Sequence, residues 1–441
     1  MSRGGTVIVM EEARPVLRSR EHTKAQPTVL FCLIVFSVLA FGAVEPWAIY
    51  AIESAAALFA AFELWRGFAM DGHLRYHPLY PALGGMAFLV LLQIVFTMSV
   101  YSWMTASQLK GLIALELLFF VAVQLFRDYA GIRFFFTLLS AAGFVIAVFA
   151  LVQKFTPNGK IYWVKSLQYN FAYFGPYANK NHYAGLMEML FPLPLFLAVG
   201  VKDLEKRVLL GFTSVLMAAS IFLSNSRGGM LACIIQVLFI AVLFAATRRE
   251  DRRSSRWIWA AALVVALIFV VGWLSGSSVL DRLLTLREPM AEDTSGNRLT
   301  IVRDSLPIIR QHPWFGTGLG TFPTIYPSYR SFYSESFVNA GHNDYLQLIV
   351  ETGLLGGLAF LWFAWVYTRG FARLVREWKF DQFATLQMAA AISCLGLLVH
   401  SVVDFNLHIP ANAALFFVLL AISTGSARKE NGVGPGKIRS M

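Results

Sequence analysis

A group of polar side chains at the start of an apolar segment offers the clearest chemistry in this sequence. The group comprises His342, Asn343, Asp344, Tyr345 and Gln347. Polar groups at a membrane boundary are costly unless they are paired or used. An unperturbed imidazole has a pKa of about 6.5 and is mostly neutral at neutral pH, as a general base must be. We therefore predict that His342 is a catalytic base, that Asn343 and Asp344 cap the following helix or hold the ring, and that Tyr345 and Gln347 are supporting contacts.

Basic residues in other polar connections are candidates for binding an anionic group. Arg227 is followed by two glycines, which would let an anion approach the backbone while the guanidinium offers two parallel hydrogen bonds to phosphate oxygens. An interfacial arginine that extends to lipid headgroups is the alternative interpretation. Arg298 is a weaker candidate of the same kind because arginines in loops are usually solvated. Lys180, flanked by two asparagines, is unremarkable by itself.

A third group of polar residues raises the question of a metal site. His400, Asp404 and His408 follow one another at intervals of four residues, so a continuous helix would align them on one face. Pro410 and the short turn in this region argue against an unbroken helix. We therefore expect no metal here, and expect Asp404 to orient a neighbouring histidine or arginine instead.

Membrane-spanning helices must position these residues. The chain has 441 residues, of which 57% are hydrophobic and 14% charged, with a mean hydropathy of +0.59. Soluble globular chains contain about 25% charged residues, so the predicted fold class is all-α, a polytopic membrane protein. Apolar runs long enough to cross a bilayer predict about twelve transmembrane helices, at 28–44, 46–64, 80–100, 109–126, 132–152, 183–200, 208–224, 229–246, 257–274, 345–367, 383–402 and 407–425.

The distribution of basic residues predicts the orientation of these helices. Of the 37 Lys and Arg residues, 25 lie in the two tails and in every second connection, which the positive-inside rule assigns to the cytoplasm. The net charge of +11 is mostly this signal and does not indicate nucleic-acid binding. The predicted parts are a cytoplasmic tail at 1–27, transmembrane helices at 28–274, a loop on the far side at 275–344, transmembrane helices at 345–425 and a cytoplasmic tail at 426–441.

The long loop at 275–344 has a pattern of its own. Apolar residues at Leu299, Val302, Leu306 and Ile309 predict a helix from Asn297 to Ile309 with these side chains on one face. A glycine-rich turn and six aromatic residues follow, at Gly316, Gly318, Gly320, Phe322, Tyr326, Tyr329, Phe332, Tyr333 and Phe337. The glycines lack the strand–helix setting of a nucleotide site. We predict a small helical cap on the membrane surface, with its aromatic side chains near lipid headgroups.

Together these motifs resemble the O-antigen ligase family of membrane glycosyltransferases, which also includes related polymerases and protein O-oligosaccharyltransferases. The resemblance covers roughly residues 170–412 and rests on Gly175–Gly185, Ser226 to Gly229, Arg298 with Pro313–Phe322, Gly341–Gly357 and His400–Pro410. It implies a GT-C-like multi-pass enzyme of the bacterial inner membrane, with its active site facing the periplasm. It also implies a metal-independent reaction without a cofactor.

The resemblance further implies substrates and residue roles. The donor would be a glycan on undecaprenyl pyrophosphate, the acceptor a hydroxyl of lipid A–core or another glycan, and the displacement inverting. Arg227, Arg298 and Lys180 would bind the donor pyrophosphate, and His342 would be the essential histidine. Supporting residues would be Arg303, Asn343, Asp344, Tyr345, Gln347, His400, Asp404 and Asn181.

Two alternatives stay open at this point. A polysaccharide polymerase or a protein O-oligosaccharyltransferase of the same family would have the same motifs. A transporter or flippase would have charged residues deep within its spans. Here the ionisable groups in mid-span are few, with Glu63, Glu116 and Glu188 as candidates, and polar residues gather at one rim, which favours an enzyme.

Overall fold

A computed structural model describes residues 24–71, 73–166, 172–246, 296–333 and 337–425. Its helices are α1 (Ala25–Leu39), α2 (Pro46–Arg66), α3 (Tyr80–Val95), α4 (Ser102–Leu125), α5 (Tyr129–Phe155), α6 (Lys180–Leu190), α7 (Pro192–Val199), α8 (Leu204–Leu223), α9 (Arg227–Ala246), α10 (Gly296–Gln311), α11 (Phe322–Ile325), α12 (Asp344–Glu377), α13 (Gln382–His400) and α14 (Pro410–Thr424). Short turns of π or 3-10 helix cover Gly67–Asp71, Tyr326–Ser328 and Asn406–His408. One small antiparallel hairpin pairs β1 (Lys160–Ile161) with β2 (Lys165–Ser166).

The prediction of an all-α polytopic membrane protein is confirmed. Among the described residues, eight helical segments are long and apolar enough to cross a membrane, counting α6 and α7 as one. The helices α1, α3 and α14 are apolar but shorter, with 15, 16 and 15 residues. These segments coincide with eleven of the twelve predicted spans; the span at 257–274 and most of both tails lie outside the described residues. The total of twelve stays a prediction.

Two segments form the centre of the helical bundle. In the apolar stretches of α6–α7 and α13, 89% and 83% of the residues are buried. In those of α2 and α4, only 33% are buried. Helices buried on all sides place their polar residues inside protein rather than in lipid, so those residues need partners. Pro192 has no backbone N–H and begins α7, which divides the predicted span 183–200 into two helices.

A glycine interrupts the long helix α12. Gly353 has a φ of +61°, outside the right-handed helical region. The backbone N–H groups of Leu354 and Leu355 donate instead to the carbonyls of Pro313 and Trp314, at 2.8 and 3.2 Å. A Cβ atom on Gly353 would lie 2.5 Å from the carbonyl group of Trp314. The kink is therefore the place where the long connection docks on α12.

The glycine-rich turn of that connection packs directly on the kinked helix. Gly316 has a φ of +69°, and a Cβ there would lie 2.3 Å from the carbonyl carbon of Glu351. The buried carboxylate of Glu351 accepts hydrogen bonds from the backbone N–H groups of Gly320 and Phe322, at 2.8 and 3.1 Å, and from Gln347 at 3.0 Å. The glycines thus allow the backbone of the turn to pack closely against α12.

The helix predicted in the long loop is present as α10, but only Ile309 of its predicted apolar face packs against the small core. Leu299 and Leu306 are 81% and 43% exposed. The buried face contains Ile301 and Ile308 together with Asp304, whose carboxylate accepts hydrogen bonds from the Tyr326 hydroxyl at 3.2 Å and the Ser331 N–H at 2.9 Å. The inward face of α10 therefore combines apolar side chains with a carboxylate that binds the segment after α11.

The aromatic residues of the long loop divide into two groups. Phe322 and Tyr326 are fully buried and stack on each other in a small core with α10 and α12. Tyr333 and Phe337 are 84% and 68% exposed. The prediction of aromatic side chains on an outer surface therefore applies only to part of the set.

Candidate functional site

The turn after α13, residues 400–404, is the meeting point of the predicted site residues. Helix α13 ends at His400, and the N–H groups of Val403 and Asp404 both donate to the carbonyl of His400, at 2.9 and 3.1 Å. Because the helix ends here, His400, Asp404 and His408 do not share one helical face. Within the described ranges, no group of three His, Cys, Asp or Glu residues is arranged to hold a metal ion.

Asp404 is the buried anion at the centre of this turn. Its carboxylate is 1% exposed and accepts a hydrogen bond from the Asn181 amide at 2.5 Å. Nη2 of Arg298 lies 3.7 Å from it, and Nε2 of His182 lies 4.0 Å away. Burial by itself raises the pKa of Asp404, but the surrounding histidines and Arg298 lower it more, so the pKa falls below its usual value. The expectation that Asp404 orients a neighbouring basic residue agrees with these contacts.

Arg298 extends from the first turn of α10 to the 400–404 turn. Nη1 donates to the carbonyl of Val403, and Nη2 faces Asp404. Its Nε is buried and makes no hydrogen bond to any described residue. A quarter of the side chain remains exposed. A carbonyl and a carboxylate thus hold the guanidinium while part of it stays open to a ligand.

His342 lies beside Phe405, the residue that follows the 400–404 turn. Its ring meets the ring of Phe405 edge-on, with centroids 5.1 Å apart. Burial lowers the pKa of His342, Asp404 raises it and Arg298 lowers it, and the net pKa is below the usual value. Nδ1 is buried and has no hydrogen-bond partner in the part of the chain that the structure describes. The imidazole is therefore neutral at neutral pH and able to accept a proton.

The backbone of His342 is strained. Its φ of +48° is uncommon for a residue with a side chain. On one side, the N–H of Gly341 donates to the Gln347 amide oxygen at 3.0 Å; on the other, Asn343 caps α12 through the Leu346 N–H at 2.9 Å. Strained residues persist only where their neighbours hold them, and they cluster at functional sites.

Two other predicted residues, Asp344 and Tyr345, have structural partners. The carboxylate of Asp344 bonds to Nδ1 of His408 at 2.7 Å and not to the His342 ring. The bond to Asp344 raises the pKa of His408 even though burial lowers it. The hydroxyl of Tyr345 donates to the carbonyl of Leu398 at 2.6 Å. These bonds fasten α12 to the segments around the 400–404 turn.

Arg227 is the first residue of α9, and the backbone of the next residue, Gly228, packs against the 400–404 turn. A Cβ atom on Gly228 would lie 2.6 Å from both Cδ2 and Nε2 of His400, and 2.9 Å from a methyl of Val403. Lys180 is the first residue of α6, one position before Asn181. Lys154, at the end of α5, donates to the carbonyl of Leu223 and interacts electrostatically with Lys180.

Not every predicted residue reaches the site. Arg303 is exposed and follows Arg298 by five residues, which places it about 140° around α10. Conversely, the sequence motifs did not indicate roles for His182, Lys154 or Glu351. The position of His182 next to Asn181, at a helix start, could have indicated a role. Lys154 and Glu351 act through partners that are distant in sequence, which no local pattern indicates.

Comparison with known proteins agrees with the motifs. A protein-family model described as O-antigen ligase matches residues 212–361, a region that includes Arg227, Arg298 and His342. No curated protein matches the chain. Over this region the chain is similar to O-antigen ligases, and the match supports membrane glycosyltransferase activity of the ligase or polymerase kind.

Proposed function

We propose that the protein transfers a glycan from undecaprenyl pyrophosphate to an acceptor hydroxyl, with lipid A–core as the acceptor. The reaction takes place at the periplasmic face of the bacterial inner membrane, with both tails in the cytoplasm and residues 275–344 as a cap. The observation that carries the proposal is that Arg298 and His342 lie against two consecutive residues, Arg298 against Asp404 in the 400–404 turn and His342 against Phe405 directly after it. The first turn of α9, with Arg227, lies on His400 of the same turn.

The basic residues bind the donor pyrophosphate. Arg227 and Lys180 each begin a helix, where backbone N–H groups and the helix dipole also favour an anion. Pyrophosphate is a good leaving group, so the reaction needs no general acid. It needs positive charge where negative charge grows on the departing oxygen, and fixed guanidinium groups provide it without reorganisation.

His342 takes the proton from the acceptor. The hydroxyl oxygen attacks the anomeric carbon, the bond from that carbon to the pyrophosphate oxygen breaks, and the hydroxyl proton passes to the imidazole. The configuration at the carbon inverts because the displacement is direct. Burial lowers the pKa of His342, which keeps the ring neutral before the reaction, and Asp404 stabilises the imidazolium that forms.

A strain that lacks the protein tests the acceptor. On a gel of surface polysaccharide, loss of the ladder attached to lipid A–core supports the proposal. A single-repeat band would indicate a polymerase, and an unchanged ladder with a lost glycoprotein would indicate transfer to protein. Purified protein given the lipid-linked donor and lipid A–core must then form the product, and failure with both substrates saturating would contradict the proposal.

A further inference from the structure

A buried acid–histidine pair lies beneath the candidate site. Oε1 of Glu188, in the middle of α6–α7, is 2.9 Å from Nδ1 of His400, and the two side chains are 0% and 1% exposed. An ionisable group inside a membrane bundle is expensive, so it is retained when it has a structural or functional use. Neither the donor-binding residues nor the base proposed above accounts for Glu188.

The start of α9 lies directly on this pair. A Cβ atom on Gly228 would be 2.6 Å from Nε2 of His400, and one on Gly229 would be 3.1 Å from Oε1 of Glu188 and 2.6 Å from the Cβ of Ala184. No larger residue fits at either position without displacing α9. Two glycines therefore bring the first helical turn, with Arg227, into contact with both members of the pair.

Val403, in the 400–404 turn, connects the start of α9 to Arg298. Val403 touches Gly228 with a methyl group, and its carbonyl accepts the hydrogen bond from Nη1 of Arg298. Its N–H in turn bonds to the carbonyl of His400. A tilt of the His400 ring would thus move the start of α9 relative to Arg298.

The orientation of that ring depends on Glu188. Nδ1 of His400 bonds to Glu188, while Nε2 is buried against α9 and has no hydrogen-bond partner among the described residues. An acceptor hydroxyl cannot reach Nε2 because Gly228 covers it. His400 is therefore unsuited to act as a base itself.

We propose that Glu188 and His400 form a positioning pair that sets the distance between Arg227 and Arg298, and so the affinity for the donor pyrophosphate. The inference rests on the proposed function and adds Glu188 to it. Neither member touches substrate. Both act through the backbone that they support.

Two substitutions of Glu188 test the pair. In Glu188→Gln the amide oxygen still accepts a hydrogen bond from Nδ1–H, whereas Glu188→Leu has a similar size and no acceptor. We expect Glu188→Leu to raise the KM for the lipid-linked donor at least tenfold, and Glu188→Gln to stay within threefold of the parent. The acid limb of the pH profile of kcat, which reports His342, stays in place in both. Equal loss in the two variants together with a moved acid limb would overturn the proposal in favour of proton transfer.

Gly228→Ala provides a second test that leaves both members of the pair intact. The added methyl displaces α9 from His400, so the donor KM rises again, and combining it with His400→Ser, which opens space, produces less than the product of the two single effects. Gly84→Ala is the matched control, because a Cβ there meets no atom within 4 Å. If the two single effects multiply in the double variant, the positioning role is overturned. A donor KM that is unchanged in Glu188→Leu would overturn it as well. An inactive parent protein would instead contradict the proposed function.

Discussion

Nη2 of Arg298 lies 3.7 Å from the carboxylate of Asp404, although 106 positions separate the two residues. The contact joins α10 to the 400–404 turn. Asp404 and Arg298 also have opposite effects on the pKa of His342, since the carboxylate raises it and the guanidinium lowers it. One ion pair therefore links the proposed donor-binding arginine to the proposed base.

The first prediction concerns the rate. General-base catalysis contributes about 10²–10⁴-fold, so His342→Ala should lose that much in kcat with donor and acceptor saturating, while protein level and membrane insertion stay normal. His312→Ala, in the same connection but outside the site, should keep the parental rate. A loss of no more than about threefold in His342→Ala would be too small for a general base.

The second prediction concerns pH. The base must be neutral to accept a proton, so activity rises with pH through the pKa of His342, which lies below its usual value. Arg298→Gln removes a positive charge, which raises that pKa and moves the acid limb to higher pH. Asp404→Asn removes a negative charge and moves the limb to lower pH. The pH dependence of kcat in each variant provides the measurement, and limbs that move in the opposite directions would show that another group titrates.

The third prediction concerns the donor. Each charge-assisted hydrogen bond contributes about 1.5–3 kcal/mol, so Arg227→Ala should reduce kcat/KM for the donor by an order of magnitude or more. Arg227→Lys should recover only part of this loss, because an ammonium cannot form two parallel bonds to a phosphate. Full activity in Arg227→Ala would reduce this arginine to a contact with lipid headgroups.

The fourth prediction concerns the kink in α12. Gly353→Ala should lower the thermal stability of the detergent-solubilised protein, because a left-handed backbone costs a residue with a Cβ about 1–2 kcal/mol and the new Cβ would lie 2.5 Å from the backbone of Trp314. Gly84→Ala, in open space on α3, should leave stability equal or slightly higher. An unchanged unfolding temperature in Gly353→Ala would mean that the turn and the helix are not rigidly docked.

The fifth prediction concerns orientation. A periplasm-specific reporter fused after Ser331 should be active, and the same reporter fused after Lys206 or Lys379 should be inactive, because basic connections remain in the cytoplasm. Activity in the reverse pattern would place the proposed site residues on the cytoplasmic face.

Local patterns in the sequence determined the elements. Long apolar runs predicted the membrane helices because a helix that crosses lipid must be apolar over its whole length. Asn343 predicted a cap because its side chain bonds to a backbone group three residues away, and the structure contains that bond. The proposal of His342 as a base also came from a local pattern, since costly polar groups stood together at a span boundary.

Contacts between distant segments were decided only by the tertiary structure. Asp404 pairs with Arg298, and Asp344 with His408, whose positions along the chain carry no local signal of the pairing. The buried face of α10 depends on Asp304, because a carboxylate is turned inward only where another segment supplies donors. Hydrophobic periodicity registers apolar burial and not such polar partners, so it placed the exposed Leu299 and Leu306 on the buried face. Likewise, Gly316 and Gly353 acquire their role only when the turn and the kinked helix meet, because each leaves room for the backbone of the other segment.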